Sequence, residues 1–320
     1  MLKNIIRTLS KSSPPNISIF HDFHRPPYGG GNQFMLALTS EFERNGYQID
    51  RNRLSDFTEV CLFNSFNFDS KKLLSNRRLQ NTLMVHRVDG PIDKYRADDR
   101  GVDREIWEIN QRIANATIFQ SQYSLDAHTK LGMQFRRPTV ISNSVDPEIF
   151  YPSNDVFSSK SGKIKIISTS WSDNINKGAS IYRWLEENLD WDRFDYTFVG
   201  RSPIEFRNIS MISPVDSVRL ADILRQHDIF ITASVHDPCS NALLEALSCG
   251  LPAIVARSGG HPELIGKAGY AFDDKKDIPG LIDKLVDNHQ QIRNFINVPK
   301  LSEVGNAYLR VMGLHTVTDN

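Results

Sequence analysis

Short apolar runs alternate with helix-length amphipathic stretches along most of this chain, and that alternation limits its fold more than any other feature. The runs fall at residues 17–20, 60–63, 82–85, 117–119 and 139–141. After a polar patch around residues 153–162 the pattern restarts at 164–168, 196–199, 229–232 and 253–255. Helices fit between them at 32–45, 122–131, 177–188, 217–226 and 241–248. Strands alternating with helices of this length predict an α/β protein with parallel sheets covered on both faces. A pattern that runs, pauses and begins again predicts two such domains, and 320 residues are enough for two cores. The expected division is 1–155, then 156–300, with 301–320 carrying a terminal helix that packs on either domain.

Charge and cysteine usage remove several function classes. With 38 basic and 38 acidic side chains, the chain lacks the basic excess that a nucleic-acid surface needs to displace counterions. Cys61, Cys239 and Cys249 have no metal-ligand spacing and fit a reducing compartment, each best read as a small packed side chain. No run approaches the roughly 20 apolar residues that cross a bilayer. Near the start, Leu2, Ile5, Ile6 and Leu9 share one helical face with Lys3, Arg7 and Lys11 nearby. Two readings stand: a frayed arm ended by Pro14 and Pro15, or a helix resting on an anionic membrane surface. The expected location is cytoplasmic, with the membrane's inner face as the alternative.

In an open parallel sheet, ligands collect beyond the carboxyl ends of the strands. Four segments have that placement. Gly29-Gly30-Gly31 precedes a helix and lets backbone approach a ligand without Cβ interference. His86, Arg87 and Asp89 end an apolar run with polar side chains, and His86 has an imidazole suited to a sugar hydroxyl or a phosphate. Lys177 opens a predicted helix, where a cation is disfavoured by the dipole unless it shares an anion with the free N–H groups. Finally, Asp237, Ser240 and Asn241 stand at the start of a helix whose interior carries Glu245. Leu243, Leu244, Ala246 and Leu247 surround Glu245, so that helix reads as buried, and a buried carboxylate needs donors such as a ribose diol. Anion donors beside hydroxyl acceptors match a nucleotide sugar. A dehydrogenase is disfavoured, because no Gly-x-Gly-x-x-Gly stands at a strand-to-helix junction.

These residues carry a resemblance. The acidic residue Asp237, seven residues, then Glu245-Ala246-Leu247-Ser248-Cys249-Gly250-Leu251-Pro252 resembles retaining glycosyltransferases of the GT4 family, built on the two-Rossmann-domain GT-B fold with parallel sheets facing a central cleft. Gly29-Gly30, Ser142-Asn143-Ser144-Val145-Asp146, Phe150-Tyr151-Pro152 and Gly259-Gly260 extend the likeness over nearly the whole chain. The runs Ser170 to Gly178 and Asp237 to Asn241 are similar to members that build lipopolysaccharide or capsule. The resemblance implies that the first domain binds the acceptor and the second the nucleotide sugar. It implies that Gly30 approaches the donor diphosphate with Gly31, that Lys177 neutralises it, that Asp237 holds sugar hydroxyls, that Glu245 binds the ribose, and that His86 contacts the transferring sugar. Two positions depart from the pattern: Asp237 stands where members carry Glu, and Ser172 stands where many carry an Arg, leaving Arg201 or Arg257 to supply a second cation.

The expected reaction moves a sugar from a nucleoside diphosphate, UDP or GDP, to a glycan or lipid-linked saccharide in surface polysaccharide synthesis, with retention of configuration. Lys177 and the N–H groups of Gly30, Gly31 and the Ser240–Asn241 turn would stabilise the leaving diphosphate. No Asp-x-Asp element stands at a strand end, so neither a metal nor a cofactor is expected. The alternatives are a nucleotide-sugar epimerase on the same scaffold and a catalytically silent glycan-binding protein.

Overall fold

A computed structural model describes residues 16–25, 27–96, 100–153 and 162–314. The amphipathic N-terminal stretch and the residue 155/156 boundary lie outside the described residues.

Two six-stranded sheets, every pairing parallel, form the two lobes expected from the alternation. The first contains β1 (Asn16–Phe20), β2 (Gln48–Arg51), β3 (Thr58–Phe63), β4 (Leu83–Val88), β5 (Ala116–Phe119) and β6 (Pro138–Val140), in the order β2-β1-β3-β4-β5-β6. The second contains β7 (Ile164–Ser170), β8 (Phe194–Gly200), β9 (Ser210–Ile212), β10 (Ile229–Thr232), β11 (Ala253–Ala256) and β12 (Gly269–Phe272), in the order β12-β11-β10-β7-β8-β9. Each order reverses once, between β1 and β3 in the first sheet and between β7 and β10 in the second. Crossovers diverge at those points and leave a crevice at the strand ends.

Central strands were legible because helices cover both their faces. Every residue of β10 and β11 is buried, so these strands read as continuous apolar runs. The three strands that left no apolar signature, β2, β9 and β12, lie at sheet edges, where exposed or half-buried positions predominate. β4 runs three residues beyond its predicted end, to Val88, because His86 and Arg87 are buried inside the sheet layer and do not terminate it.

The helix Leu301–Val311 packs on the first lobe. Val304, Tyr308, Leu309 and Met312 join Phe34, Met35, Leu38 and Phe42 of the helix Gly30–Arg44 in one buried cluster. Gly305 permits this approach, since a Cβ there would lie 2.8 Å from Cγ of Glu41. No helix among the described residues is long and apolar enough to cross a membrane.

Candidate active site

The switch points of both sheets open onto one cleft of about 430 Å³ between the lobes. Of the residues singled out from sequence, Gly30, Gly31, Lys177, Asp237, Ser240, Asn241 and Glu245 line it, and His86 does not.

On the second lobe, β7 delivers the chain through Trp171 to a short 3-10 turn, Ile175–Lys177, and the α-helix begins only at Ala179. Lys177 therefore precedes the helix that sequence placed it in. Gly178 makes the break with φ of +86°, and a side chain there would also collide with Ala233. Lys177 Nζ lies 3.0 Å from Asp237 Oδ2, so the two residues chosen for separate jobs form an ion pair. Burial works against the Asp237 charge, but Lys177, the nearby His261 and the Cys239 N–H together hold its pKa below the ordinary value.

After β10 the chain reaches the helix Asn241–Ser248, capped by Ser240, whose Oγ accepts from the Leu243 N–H at 3.3 Å. Glu245, one turn in, is 7% exposed and lines the cleft. Among the described residues no protein donor satisfies its carboxyl, and burial raises its pKa to about 8. Cys239 is buried, and burial pushes its thiol up to about 11, which favours packing over nucleophilic chemistry.

The glycine loop meets this helix directly. A Cβ on Gly30 would lie 2.5 Å from Cβ of Asn241, so the approach of the lobes requires glycine at that position. Gly31 faces open space. The helix starting at Gly30 leaves its first N–H groups without intrahelical acceptors. Asn241 turns its side chain across the gap, and its Oδ1 accepts from Asn143 Nδ2 at 3.0 Å.

On the first lobe the structure corrects the choice of histidine. His86 is fully buried, stacked on Phe63 at 4.2 Å, and bonded to Asn110 and the Ser65 carbonyl. Burial lowers its pKa to about 3, so it is a neutral interior residue with no route to the cleft. In this lobe His21, Asn64, Arg87 and Asp89 line the cleft. Arg87 is 1% exposed and donates to Asn64, Asp89 and Asn143, with its guanidinium over the Phe34 ring at 5.1 Å. Asp89 also accepts from Gln120. His21 and Asn64 carry no local sequence signal; only their place at the ends of β1 and β3 would have drawn attention to them.

Of the two arginines considered as replacement cations, Arg257 is bonded to Asp273 and the Ala271 carbonyl. Arg201, directly after β8, holds its guanidinium over the Trp171 ring at 4.7 Å. Trp171 in turn abuts Gly29 and Tyr28 across the mouth of the cleft.

Further bonds hold the lobes together around the cleft. Glu263 accepts from the Gln122 and Tyr123 N–H groups at 2.8 and 2.7 Å, capping a first-lobe helix from the second lobe. Tyr123 Oη meets His236 Nδ1 at 3.1 Å, and a Cβ on Gly90 would lie 2.9 Å from Pro238. The paired glycines 259 and 260 serve packing, because the Gly260 N–H donates to the Asp237 carbonyl at 2.8 Å and side chains there would strike that backbone. Among the described residues no cluster of three metal-ligating side chains exists.

Two facing Rossmann-like sheets with a cleft at both switch points define the GT-B architecture, and solved structures of that fold resemble this chain over nearly its full length. The catalytic domain of starch synthase IV from Arabidopsis thaliana, bound to ADP and acarbose, is 10% identical, with 94% of this chain and 99% of that one covered and a TM-score of 0.70. Sucrose-phosphate synthase from Thermosynechococcus elongatus is 13% identical, covering 94% and 95%, with a TM-score of 0.66. HepE from Anabaena in complex with UDP-glucose is 14% identical, covering 94% and 96%, with a TM-score of 0.65.

Residues 190–290 match the family described as group 1 glycosyl transferases. A probable sucrose-phosphate synthase of Thermosipho melanesiensis is 29% identical over 196 residues, covering 55% of this chain. The match spans 44% of that relative's length. The family match and the fold together support a glycosyltransferase.

Proposed function

We propose that the protein is a retaining glycosyltransferase that moves a sugar from a nucleoside-diphosphate sugar to a saccharide hydroxyl. The observation that carries this reading is the pairing of Lys177 with Asp237 beside two helix N-termini, with the unsatisfied Glu245 in the same cleft. A diphosphate entering there meets one ammonium group and the free N–H groups at Gly30, Gly31 and the Ser240–Asn241 turn. Lys177 would exchange Asp237 for the phosphates, which frees the Asp237 carboxylate to accept from sugar hydroxyls. Glu245, one turn further into the helix, would accept from the ribose diol and lose the cost of its burial without partners. Arg201, stacked on the cleft-lining Trp171, is the replacement we propose for the cation missing at Ser172.

As the sugar–diphosphate bond breaks, negative charge grows on the leaving oxygen beside Lys177, while the acceptor attacks the face that the diphosphate leaves. The departing diphosphate takes the acceptor's proton, so the step needs no protein base. It needs no metal either, since the charge is met by Lys177 and amides. UDP is the first donor nucleotide to test, because the Anabaena neighbour was solved with UDP-glucose.

The acceptor we propose is a glycan or lipid-linked saccharide of surface polysaccharide synthesis, taken up on the first lobe. The likeness to sucrose-phosphate synthases favours a second reading in which a small phosphorylated sugar is the acceptor. Thermal shift against UDP, GDP and ADP, followed by transfer from the matching sugar donor to both acceptor classes, tests the reading. We expect one nucleoside diphosphate to raise the melting point and transfer to persist in excess chelator. Absence of any shift at millimolar nucleotide would refute it.

A further inference from the structure

The loop that carries Asp237 belongs to the second lobe, yet the first lobe touches it on both sides of that residue. On one side, His236 Nδ1 and Tyr123 Oη share a hydrogen bond of 3.1 Å. On the other, a Cβ on Gly90 would lie 2.9 Å from Cβ of Pro238, so the two backbones meet with no room for a side chain. Both contacts come from one first-lobe unit. Ser124, beside Tyr123 in the helix Gln122–Lys130, donates from its Oγ to the Asp89 carbonyl at 2.8 Å and ties that helix to the Asp89-Gly90 turn.

Tyr123 is itself held at two points by the second lobe. Its N–H donates to Glu263 Oε1 at 2.7 Å, and its hydroxyl reaches the His236 ring. Burial, and then the Asp237 charge, raise its pKa above the ordinary value, so the hydroxyl keeps its proton at neutral pH. His236 has φ of +58°, a conformation uncommon for any residue with a side chain. Such backbone persists where its surroundings fix it. Here Ser258 Oγ accepts from the His236 N–H at 2.9 Å, and Tyr123 fixes the ring.

The two carboxylate oxygens of Asp237 have separate partners. Oδ1 accepts from the Cys239 N–H at 3.3 Å within the loop, and Oδ2 accepts from Lys177 at 3.0 Å. When Lys177 turns to a diphosphate, only the loop is left to direct this carboxylate. We propose that Tyr123 is a positioning residue: by fixing His236, its hydroxyl holds the backbone that aims Asp237 at the sugar, so the carboxylate is aligned only while the lobes are together. This deepens the glycosyl-transfer reading and rests on it. Glu263 sets how the lobes approach, and the Tyr123 hydroxyl sets what that approach does to the loop.

Two measurements on the full chain test it, each on Tyr123→Phe, which removes one oxygen, and His236→Asn, which tolerates the positive φ but is too short to reach Tyr123. Amide hydrogen exchange in the ligand-free protein reads the alignment without any turnover. The Cys239 and Gly260 amides donate to Asp237 Oδ1 and to its carbonyl. In both variants they should exchange roughly 5-fold faster, the scale of one lost hydrogen bond, with the β10 amides unchanged. Wild-type exchange at both amides would overturn the proposal.

The second measurement is kcat with UDP-, GDP- or ADP-glucose, whichever nucleotide binds, alongside nucleotide affinity and melting temperature. Tyr123→Phe should lower kcat roughly 5-fold, with the other two near wild type. Combining the two substitutions should slow the enzyme no further than the slower single variant, because one link is lost either way. Either a kcat within about twofold of wild type, whatever the melting temperature does, or additive losses in the double variant would sink the positioning role. Failure of the wild type to bind UDP, GDP or ADP would instead remove the glycosyl-transfer reading, while exchange still decides whether Tyr123 aligns the loop.

Discussion

The two walls of the cleft are built on opposite electrostatic plans. The second-lobe wall has a 34%-exposed lysine paired with an aspartate, beside helix N-termini, and its groups can exchange partners when an anion arrives. The first-lobe wall is a buried network, in which Arg87, Asn64, Asn143 and His21 are almost fully buried and bonded to one another, with Arg87 Nε and His21 Nε2 left without partners among the described residues. Partly solvated charge suits a diphosphate that must be gripped and then released. A dry, prearranged set of hydrogen-bonding groups suits hydroxyl groups, whose recognition depends on direction more than on charge.

That contrast can be broken most decisively at Lys177. Replacing it with Ala should reduce turnover by about 10²- to 10³-fold, the scale for removing one preorganised group that stabilises leaving-group charge. The melting temperature should hardly move, since a partly exposed pair contributes at most about 1 kcal/mol to stability. Steady-state kinetics with thermal melts check both halves, and near-normal turnover would remove the second-lobe assignment.

Arg87→Leu should do the reverse. It strips donors from Asn64, Asn143 and Asp89 in the interior and should cost about 3 kcal/mol in denaturant unfolding, as broken buried networks do. If the variant is as stable as wild type, the first-lobe network is not the rigid element described.

Glu245 sharpens the comparison through pH. Its folded pKa, near 8, lies above the ordinary carboxyl value, so between those limits the folded state binds more protons than the unfolded one. Stability of the ligand-free protein should therefore decline as pH rises from about 5 to 8. Glu245→Gln should flatten this slope, and a saturating nucleoside diphosphate should reduce it in the wild type. Melting curves across that range, with and without nucleotide, provide the check.

The smallest effect is expected at the rim. Glu263→Ala removes the carboxylate that caps a helix across the gap, worth about 1 kcal/mol by analogy with other caps. It should raise the donor KM a few-fold with little change in kcat, because it loosens the approach of the lobes without touching the reacting groups.

Much of the architecture was legible. β10 was readable to the residue because a strand covered on both faces must be apolar at every position. The edge strands β2, β9 and β12 were not, because one side meets solvent and their composition matches that of loops. In the site, Lys177 stood out as a cation at a predicted helix start, Glu245 as a carboxylate among apolar neighbours, and Asp237 by its place before a helix start. Their mutual pairing was hidden, since 60 residues separate Lys177 from Asp237. His86 was misread because a polar cluster at the end of an apolar run resembles a cleft wall, whereas Asn110, Thr117 and Phe63 supply an interior in which that ring is satisfied.

The sequence by itself determined two doubly covered parallel sheets and the set of charged groups that collect at the ends of the second, because periodicity and helix-start chemistry are local. Only the tertiary structure decided which groups face one another: that Asn241 demands glycine at position 30, that Lys177 answers Asp237, and that His21 rather than His86 reaches the cleft. Hydrogen-bond direction and burial are properties of neighbours brought together by folding, and no local pattern in the chain encodes them.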